Sequence, residues 1–475
     1  MPEIGINREL SVGEVGAIQH RRNVIMIAGL AVVFIGAFFF SLRDLSPLYT
    51  VGVIFLLGFF LVAFINIRIG FVIVILAFLL SPEVNLPVSA ISGFKIRTED
   101  SLLVVLVLAW LGRLGMGLQK HFLIKTPVNL PIFLIIIWNV ISSWRAISAG
   151  MMADSGFCIL TNLKLIEFFV VYFLVANNLN NIKEVKIMFY LLFIIALVVG
   201  LYTILQIPKT AVFTTNRLSA PFESTPEPNT LGALLVMFFG MALSIVLYAK
   251  ASLLKKICVV LVIILPLSIM FSYARSAYLA FIAMVIVLTL VSRRKWLVSV
   301  VLISVLLSPF ILPKSVINRA LYNFQDPRYF GFLDPSAAER VFVYQKAGYH
   351  IKQYPFLGGG VATGGGVLDS QYARVVMEGG LVGLALFIWL LLRLIKMGVR
   401  LFRSVSDGWI KGAALGFITV VIGLIVHSWG NITFYIIRIA EPFWALAALI
   451  AYLLYYVTIE KERLQIANSD KISIA

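Results

Sequence analysis

Charge is scarce in this sequence of 475 residues. Asp, Glu, Lys and Arg make up 13% of it, about half the share usual in soluble globular chains. With 61% hydrophobic residues and a mean hydropathy of +1.00, that scarcity sets the soluble enzyme classes aside. Cysteine is scarcer still: Cys158 and Cys258 are the whole supply, and the topology derived below puts them near opposite faces of a membrane, which argues against a disulfide. The four histidines, His20, His121, His350 and His427, are scattered without ligand spacing, so neither a metal nor a cofactor is expected. The sequence also lacks a soluble domain, an internal repeat, a low-complexity tract and a lysine-containing nucleotide loop.

What it has is apolar runs of the length that crosses a bilayer, about 17 to 25 residues each. They lie near 24–40, 48–65, 67–80, 101–117, 128–144, 159–178, 187–206, 229–249, 254–271, 277–292, 296–313, 380–398, 411–429 and 438–457. The third is short and the thirteenth reads as interrupted, so about 12 to 14 transmembrane helices are expected in one all-α membrane domain over 1–475. No small-residue cleavage site follows the first run, which is expected to be retained.

The formal charge of +17 invites a nucleic-acid reading, but its placement argues for topology. With the N-terminus inside, alternate connections hold Arg21, Arg22, Arg68, Arg113, Lys183, Lys186, Lys255, Lys256, Arg293, Arg294, Arg393, Lys396, Arg400 and Arg403. This is the positive-inside pattern, with both termini cytoplasmic, a secondary attraction to membrane lipids and no nucleic-acid partner.

Two outward segments stand apart, Ser81 to Asp100 and the longer 314–378. A connection of about sixty residues is usually functional or structured in its own right. Ala337 to Gln353 has helical spacing, with Val341, Tyr344, Ala347, Gly348 and Ile351 on one face and Pro355 beyond the end. Ser336 and Glu339 read as a capping box at its start.

Seven arginines fall outside against the rule: Arg97, Arg145, Arg217, Arg275, Arg340, Arg374 and Arg438. Arg275 is the sharpest, since it separates two spans almost without a loop. A cation at that depth marks either a functional site or an arginine reaching for headgroups. Several guanidinium groups on one face suit a multiply charged oxyanion, and on an outer leaflet without ATP that points to a lipid pyrophosphate. Asp369 and Glu378 are the carboxylates to weigh as general base, Glu378 reading also as a charge at a helix start. His427, at the outer end of the thirteenth span, is either a buried, hydrogen-bonded histidine or part of the same cavity. The glycine clusters 358–360 and 364–366 read either as backbone amides exposed to phosphate or as a flexible loop that bends close to the membrane. Gly408, Gly412 and Gly416 form a small-residue packing ridge.

The ordered set of Arg217 before Pro228-Asn229, the turn Ser272-Tyr273-Ala274-Arg275-Ser276, Ser336 to Arg340, Tyr354-Pro355-Phe356-Leu357-Gly358-Gly359-Gly360, Tyr372 and Glu378-Gly379-Gly380 resembles the O-antigen ligase and polymerase family of bacterial envelope polysaccharide synthesis. The resemblance implies a metal-independent glycosyltransferase of GT-C-like fold in the inner membrane, with its site facing the periplasm. Its donor would be a glycan on undecaprenyl pyrophosphate and its acceptor a lipid-linked repeat unit or a lipid A core. Arg217, Arg275 and Arg340 would bind the pyrophosphate and stabilise the leaving group, with Asp369 as base. Ser276, Ser336, Tyr372, Glu378, His427 and Arg97 would contact substrate. Ligases of the family carry a His-Asn pair where this sequence reads Asp369-Ser370-Gln371-Tyr372, which favours a repeat-unit polymerase over a ligase. A transporter of lipid-linked glycans is the alternative of another class; it calls for paired half-repeats and polar residues at mid-span.

Overall fold

A computed structural model describes residues 47–80, 83–84, 96–118, 123–152, 154–207, 218–221, 227–294, 296–299, 303, 317, 335–363 and 369–474. Backbone polar groups find no water in lipid, so a chain this apolar has to satisfy them within helices. Twelve of the expected spans appear as α1 (Pro47–Ile65), α2 (Ile67–Leu80), α3 (Thr98–Gly115), α4 (Asn129–Ser148), α5 (Ser155–Asn178), α6 (Ile182–Gln206), α7 (Pro228–Tyr248), α8 (Leu253–Phe271), α9 (Arg275–Ser292), α11 (Gln371–Ser404), α12 (Gly408–His427) and α13 (Ile437–Ile474). The run 24–40 lies outside the described residues, as does most of 296–313. Among the described residues nine helices, α4 to α9 and α11 to α13, are long and apolar enough to cross a membrane. The chain is an all-α, multi-pass membrane protein. Two-residue strands β1 (Glu83–Val84) and β2 (Ile96–Arg97) pair antiparallel.

Polar residues at the connections start the helices by taking up otherwise unsatisfied N–H groups. Asp154 accepts from Phe157 N at 2.9 Å, Asn181 from Glu184 N at 3.0 Å and Asp407 from Trp409 N at 3.0 Å. The expected interruption of the thirteenth span is absent: α12 is one continuous helix of 20 residues. Its glycines remove side chains on one face without breaking the hydrogen-bond ladder.

The chain divides into two compact units, Met1–Phe71 with Asp100–Gln119 and Val72–Glu99 with Lys120–Ala475. In the first, Arg113 donates to the carbonyls of Phe64 at 2.5 Å and Ile65 at 3.1 Å, closing the C-terminal end of α1. In the second, α7 is almost wholly buried and packs on α12, α8 and α9. The α7–α12 contact is backbone against backbone: a β-carbon on Gly412 would stand 2.8 Å from Ile245 Cα, and one on Gly416 would stand 2.9 Å from Met241 Cα. Small residues let helices approach this closely in a bilayer, where dispersion replaces the hydrophobic effect as the adhesive. The ridge read from Gly408, Gly412 and Gly416 is thus the seam of the bundle.

The long connection carries α10 (Pro335–Gln353). The helix begins at Pro335, so Ser336 lies inside its first turn and not ahead of it as a cap. Its buried face is also turned from expectation. Val343 and Ala347 pack on Ala373 and Met377 of α11, whereas Val341 and Tyr344 are exposed. One docked neighbour, not a symmetric membrane surface, sets which stripe is covered.

Candidate functional site

α7 and α9 run parallel to each other and antiparallel to α12, which brings the start of α7, the start of α9 and the end of α12 to one end of the bundle. Helix starts carry free N–H groups and positive partial charge, so two of them together favour an anion. The turn between α8 and α9 is stiff. Tyr273 takes φ of 54°, Ser272 Oγ accepts from Ala274 N at 3.3 Å and donates to the Ile269 carbonyl at 2.7 Å. This fixes Arg275 and Ser276 in the first turn of α9.

Beneath them lies a buried polar network. Ser276 Oγ is 3.2 Å from His427 Nε2 and 3.4 Å from Asn229 Oδ1, and Asn431 Nδ2 donates to it at 3.4 Å. His427 Nδ1 is 2.8 Å from Thr433 Oγ1. Both ring nitrogens are therefore engaged, and the ring is fully buried. With the Thr433 hydroxyl donating to Nδ1, Nε2–H is free to donate to Ser276, whose own proton then serves Asn229; one tautomer satisfies the whole chain.

Helix α10 adds Arg340. Its guanidinium rests on Gly430, where a β-carbon would stand 3.0 Å from Nε and 3.1 Å from Cζ. The Arg340 Nε is buried and has no hydrogen-bond partner among the described residues. The turn after α12 is pinned in place by Gln371, whose backbone N–H donates to the carbonyls of Ser428 at 3.1 Å and Asn431 at 3.0 Å and whose side chain accepts from Phe434 N at 3.0 Å.

The first glycine cluster, 358–360, belongs to a clamp over 354–363 and not to the flexible loop expected of it, while the second, 364–366, lies outside the described residues. α11 breaks at Gly380, with φ 67° and ψ −165°, and the carbonyls freed there accept from the segment: Gly359 N to Met377 O at 2.7 Å and Gly360 N to Glu378 O at 3.0 Å. In return Leu381 N donates to Pro355 O at 2.9 Å. A β-carbon on Gly358 would lie 2.5 Å from Glu378 O, so two backbones approach only because glycine is there. α4 closes the clamp from the other side. Ser142 Oγ donates to Glu378 O at 2.7 Å, Ser143 Oγ accepts from Val361 N at 3.1 Å, and Arg145 Nη2 donates to Gly358 O at 2.7 Å while stacking on Tyr354.

Glu378 is fully engaged. Oε1 accepts from Arg374 Nε and from Ala362 N, each at 2.9 Å, and Oε2 accepts from Tyr435 OH at 2.8 Å. Arg374 also stacks on the Tyr435 ring. Burial, then the Glu378 charge, push the Tyr435 phenol well above its usual range, so it remains a donor. A carboxylate holding three donors anchors the break in α11.

The structure thus sorts the sequence-derived candidates. Ser276, Arg340 and His427 gather at one site, with Arg275 next to Ser276 in the first turn of α9. Arg145 and Arg374 serve the clamp, Arg97 is buried against Glu99 at 3.0 Å, and Arg438 is buried and donates to Pro221 O at 3.3 Å. Tyr372 donates to the Ile425 carbonyl at 2.7 Å. Asp369 is half-buried, one residue before the α11 cap Ser370. Arg217 and the Ser336 side chain lie outside the described residues. Asn229, Asn431 and Thr433 were not singled out from the sequence; an Asn or Thr at a span end carries no signal until its partner is known. Behind the clamp, α4, α5, α11 and α13 line a partly open cleft whose walls include Trp138, Phe168, Phe387, Phe434 and Trp444, with Glu378 and Tyr435 among its few polar groups.

None of the curated proteins compared with the chain matches it. Residues 259–388, which hold most of α8, all of α9 and α10, the glycine clamp and the first half of α11, match the family model described as O-Antigen ligase. That match supports an O-antigen ligase/polymerase-type function, and with it lipid-linked glycans and lipid acceptors as the general class of substrates. Over residues 259–388, which supply Arg275, Ser276 and Arg340 of the site, the chain is similar to the O-antigen ligase family.

Proposed function

We propose that the chain is an outer-leaflet glycosyltransferase of the bacterial inner membrane that polymerises O-antigen or exopolysaccharide repeat units carried on undecaprenyl pyrophosphate. The end of the bundle holding Arg275 and Arg340 faces the periplasm in this reading, and both termini are cytoplasmic. One observation carries it: Arg340, delivered by α10, rests on Gly430, three residues from a histidine bonded to Ser276, the neighbour of Arg275. Two arginines and two helix starts at one point make a site for a doubly charged leaving group.

In the proposed step an acceptor sugar hydroxyl attacks the anomeric carbon of the donor glycan. The carbon–oxygen bond to pyrophosphate breaks, and its electron pair leaves with undecaprenyl pyrophosphate. Arg217, Arg275 and Arg340 offset the charge that develops, and Asp369 receives the hydroxyl proton. The apolar cleft behind Glu378 suits a prenyl chain, since its lining is aromatic and aliphatic at span depth. No step is assigned to a metal.

Transfer to a lipid A core is the second reading, favoured by the description of the matching family model. The segment Asp369-Ser370-Gln371-Tyr372, without a histidine, favours the polymerase. Gel profiling of a deletion strain tests the choice. Single repeat units with no long chains establish the polymerase; long chains stranded on the carrier lipid establish the ligase. An unchanged profile removes both and returns a transporter of lipid-linked glycans to the front.

A further inference from the structure

We propose that Trp429 is a stacking platform for a pyranose ring of the lipid-linked glycan, a sugar subsite separate from the arginines. The identity of the ligand rests on the function proposed above; the geometry of the platform does not.

Trp429 is 64% exposed, yet it is held. Its backbone N–H donates to Val426 O at 3.2 Å and its backbone carbonyl accepts from Tyr344 OH at 3.2 Å, which fixes the turn that carries the ring. The hydroxyl of Ser370 supports Tyr344 at 2.9 Å. The indole is flanked by the rings of Tyr344 and Tyr372, at centroid distances of 6.2 and 5.9 Å and inclined by 46° and 64°. The two tyrosine rings orient the indole on this fixed turn while most of its surface stays uncovered.

Its neighbours decide what covers it. The next residue, Gly430, lies under the Arg340 guanidinium, so the platform is continuous with the anion site. Asp369 stands beside Ser370, which supports Tyr344. A pyranose presents a face of C–H groups and a rim of hydroxyls. The indole suits the first, through the electron-rich face of its π-system, and the Asp369 carboxylate suits the second. A glycan leaving the pyrophosphate passes over the adjoining aromatic ring. A tryptophan that merely marks the membrane interface needs neither the Gln371 and Tyr344 anchors on its turn nor a guanidinium next to it. Pre-fixing the ring removes the ordering cost of closing on a sugar.

The test uses the full-length protein in nanodiscs and two probes: the lipid-linked glycan extracted from the deletion strain, and undecaprenyl pyrophosphate without sugar. Trp429→Ala should weaken binding of the glycan-bearing lipid by roughly tenfold and leave the sugar-free lipid unchanged, with Trp429→Phe recovering most of the loss. Equal weakening of both lipids, or of neither, overturns the platform. If the alanine variant is lost from the membrane, hydroxyl-radical footprinting of the unmodified protein replaces it. Protection of Trp429 by the released oligosaccharide supports the proposal, and equal oxidation with and without it overturns it. The sugar-free arm also reads the arginines by themselves. Should Arg340→Ala bind that lipid as well as the unmodified protein does, the pyrophosphate reading fails, while the platform is still judged by the glycan-dependent difference.

Discussion

Ser276 Oγ and His427 Nε2 lie 3.2 Å apart although 151 positions separate them in the chain, and through Asn229 and Thr433 they tie the starts of α7 and α9 to the turn after α12. Removing the imidazole leaves Ser276 and Thr433 buried without their partner, at a cost of about 1–3 kcal/mol. His427→Ala should therefore cut polymer yield by tenfold or more while the protein stays in the membrane, and Ser276→Ala should cut it less, since water can replace a hydroxyl. Polymer per membrane-inserted molecule, scored by gel, is the measurement. Full yield from His427→Ala would remove the network from the site.

Arg275→Ala and Arg340→Ala should each abolish long chains, and Arg217→Ala likewise. A lysine at position 275 keeps the charge but loses the paired donors. Arg275→Lys should therefore also fail; rescue by lysine would show that a point charge suffices. Normal polymer from well-expressed alanine variants would sink the pyrophosphate site.

Gly380 has a backbone conformation that side chains rarely adopt, and its missing β-carbon faces the Phe356 carbonyl. Gly380→Ala should destabilise the protein by about 1–3 kcal/mol from backbone strain alone, and Gly358→Ala should do the same. Gly348 of α10 has open space around it, so Gly348→Ala should stabilise by about 0.5–1 kcal/mol as alanine replaces glycine in a helix. Thermal unfolding in detergent should rank the three variants in opposite directions.

Glu378 is buried and pairs with the part-buried Arg374 while its carboxylate holds two further donors. Glu378→Leu strands all three and should cost about 3–5 kcal/mol, the range for breaking a buried ion pair. Loss of the protein from membranes at 37 °C, with recovery at lower growth temperature, is the expected outcome. A variant as stable as the parent in thermal unfolding would reassign Glu378 from anchoring to chemistry.

Burial, then the charges of Lys346 and Arg145, lower the His350 pKa below its ordinary value. The unfolded chain then takes a proton before the folded one does as the pH falls. The docked state of α10 keeps its full stability above the ordinary histidine pKa of about 6.5 and loses part of it below that. Protection from hydrogen exchange across 335–363, corrected for the intrinsic rate at each pH, should fall between about pH 7.5 and about pH 5.5, and His350→Gln should flatten the change. A profile identical in both proteins would clear His350 of the effect.

The spans were legible because a membrane crossing is a local property: length and hydropathy of one run decide it, and α1 to α9 and α11 to α13 sit where the runs do. The charged and polar outliers were legible for the same reason, since Arg275, Arg340 and His427 break a local rule. Pairing was not. Nothing in Ser276 or His427 names the other, and nothing in Ser142, Ser143 or Arg145 tells that they close a clamp around residues 354–363. The glycine cluster read as flexible because glycine permits both looseness and close backbone contact; only the partner strand of carbonyls at Gly380 decides between them. The buried stripe of α10 missed its place for a related reason, as Val341 and Val343 are equally apolar and the docking helix chooses.

The break at Gly380 also bears on biosynthesis. A ribosome delivers residues 355–360 before the carbonyls of Met377 and Glu378 that will receive them, so the clamp can close only after the first turns of α11 have emerged. From Leu381 to Ser404 the helix still exceeds the roughly 20 residues that a crossing needs. Leu381 onward is therefore long enough to be taken up as a span by itself, so the turns before it remain available for stitching to a segment made earlier.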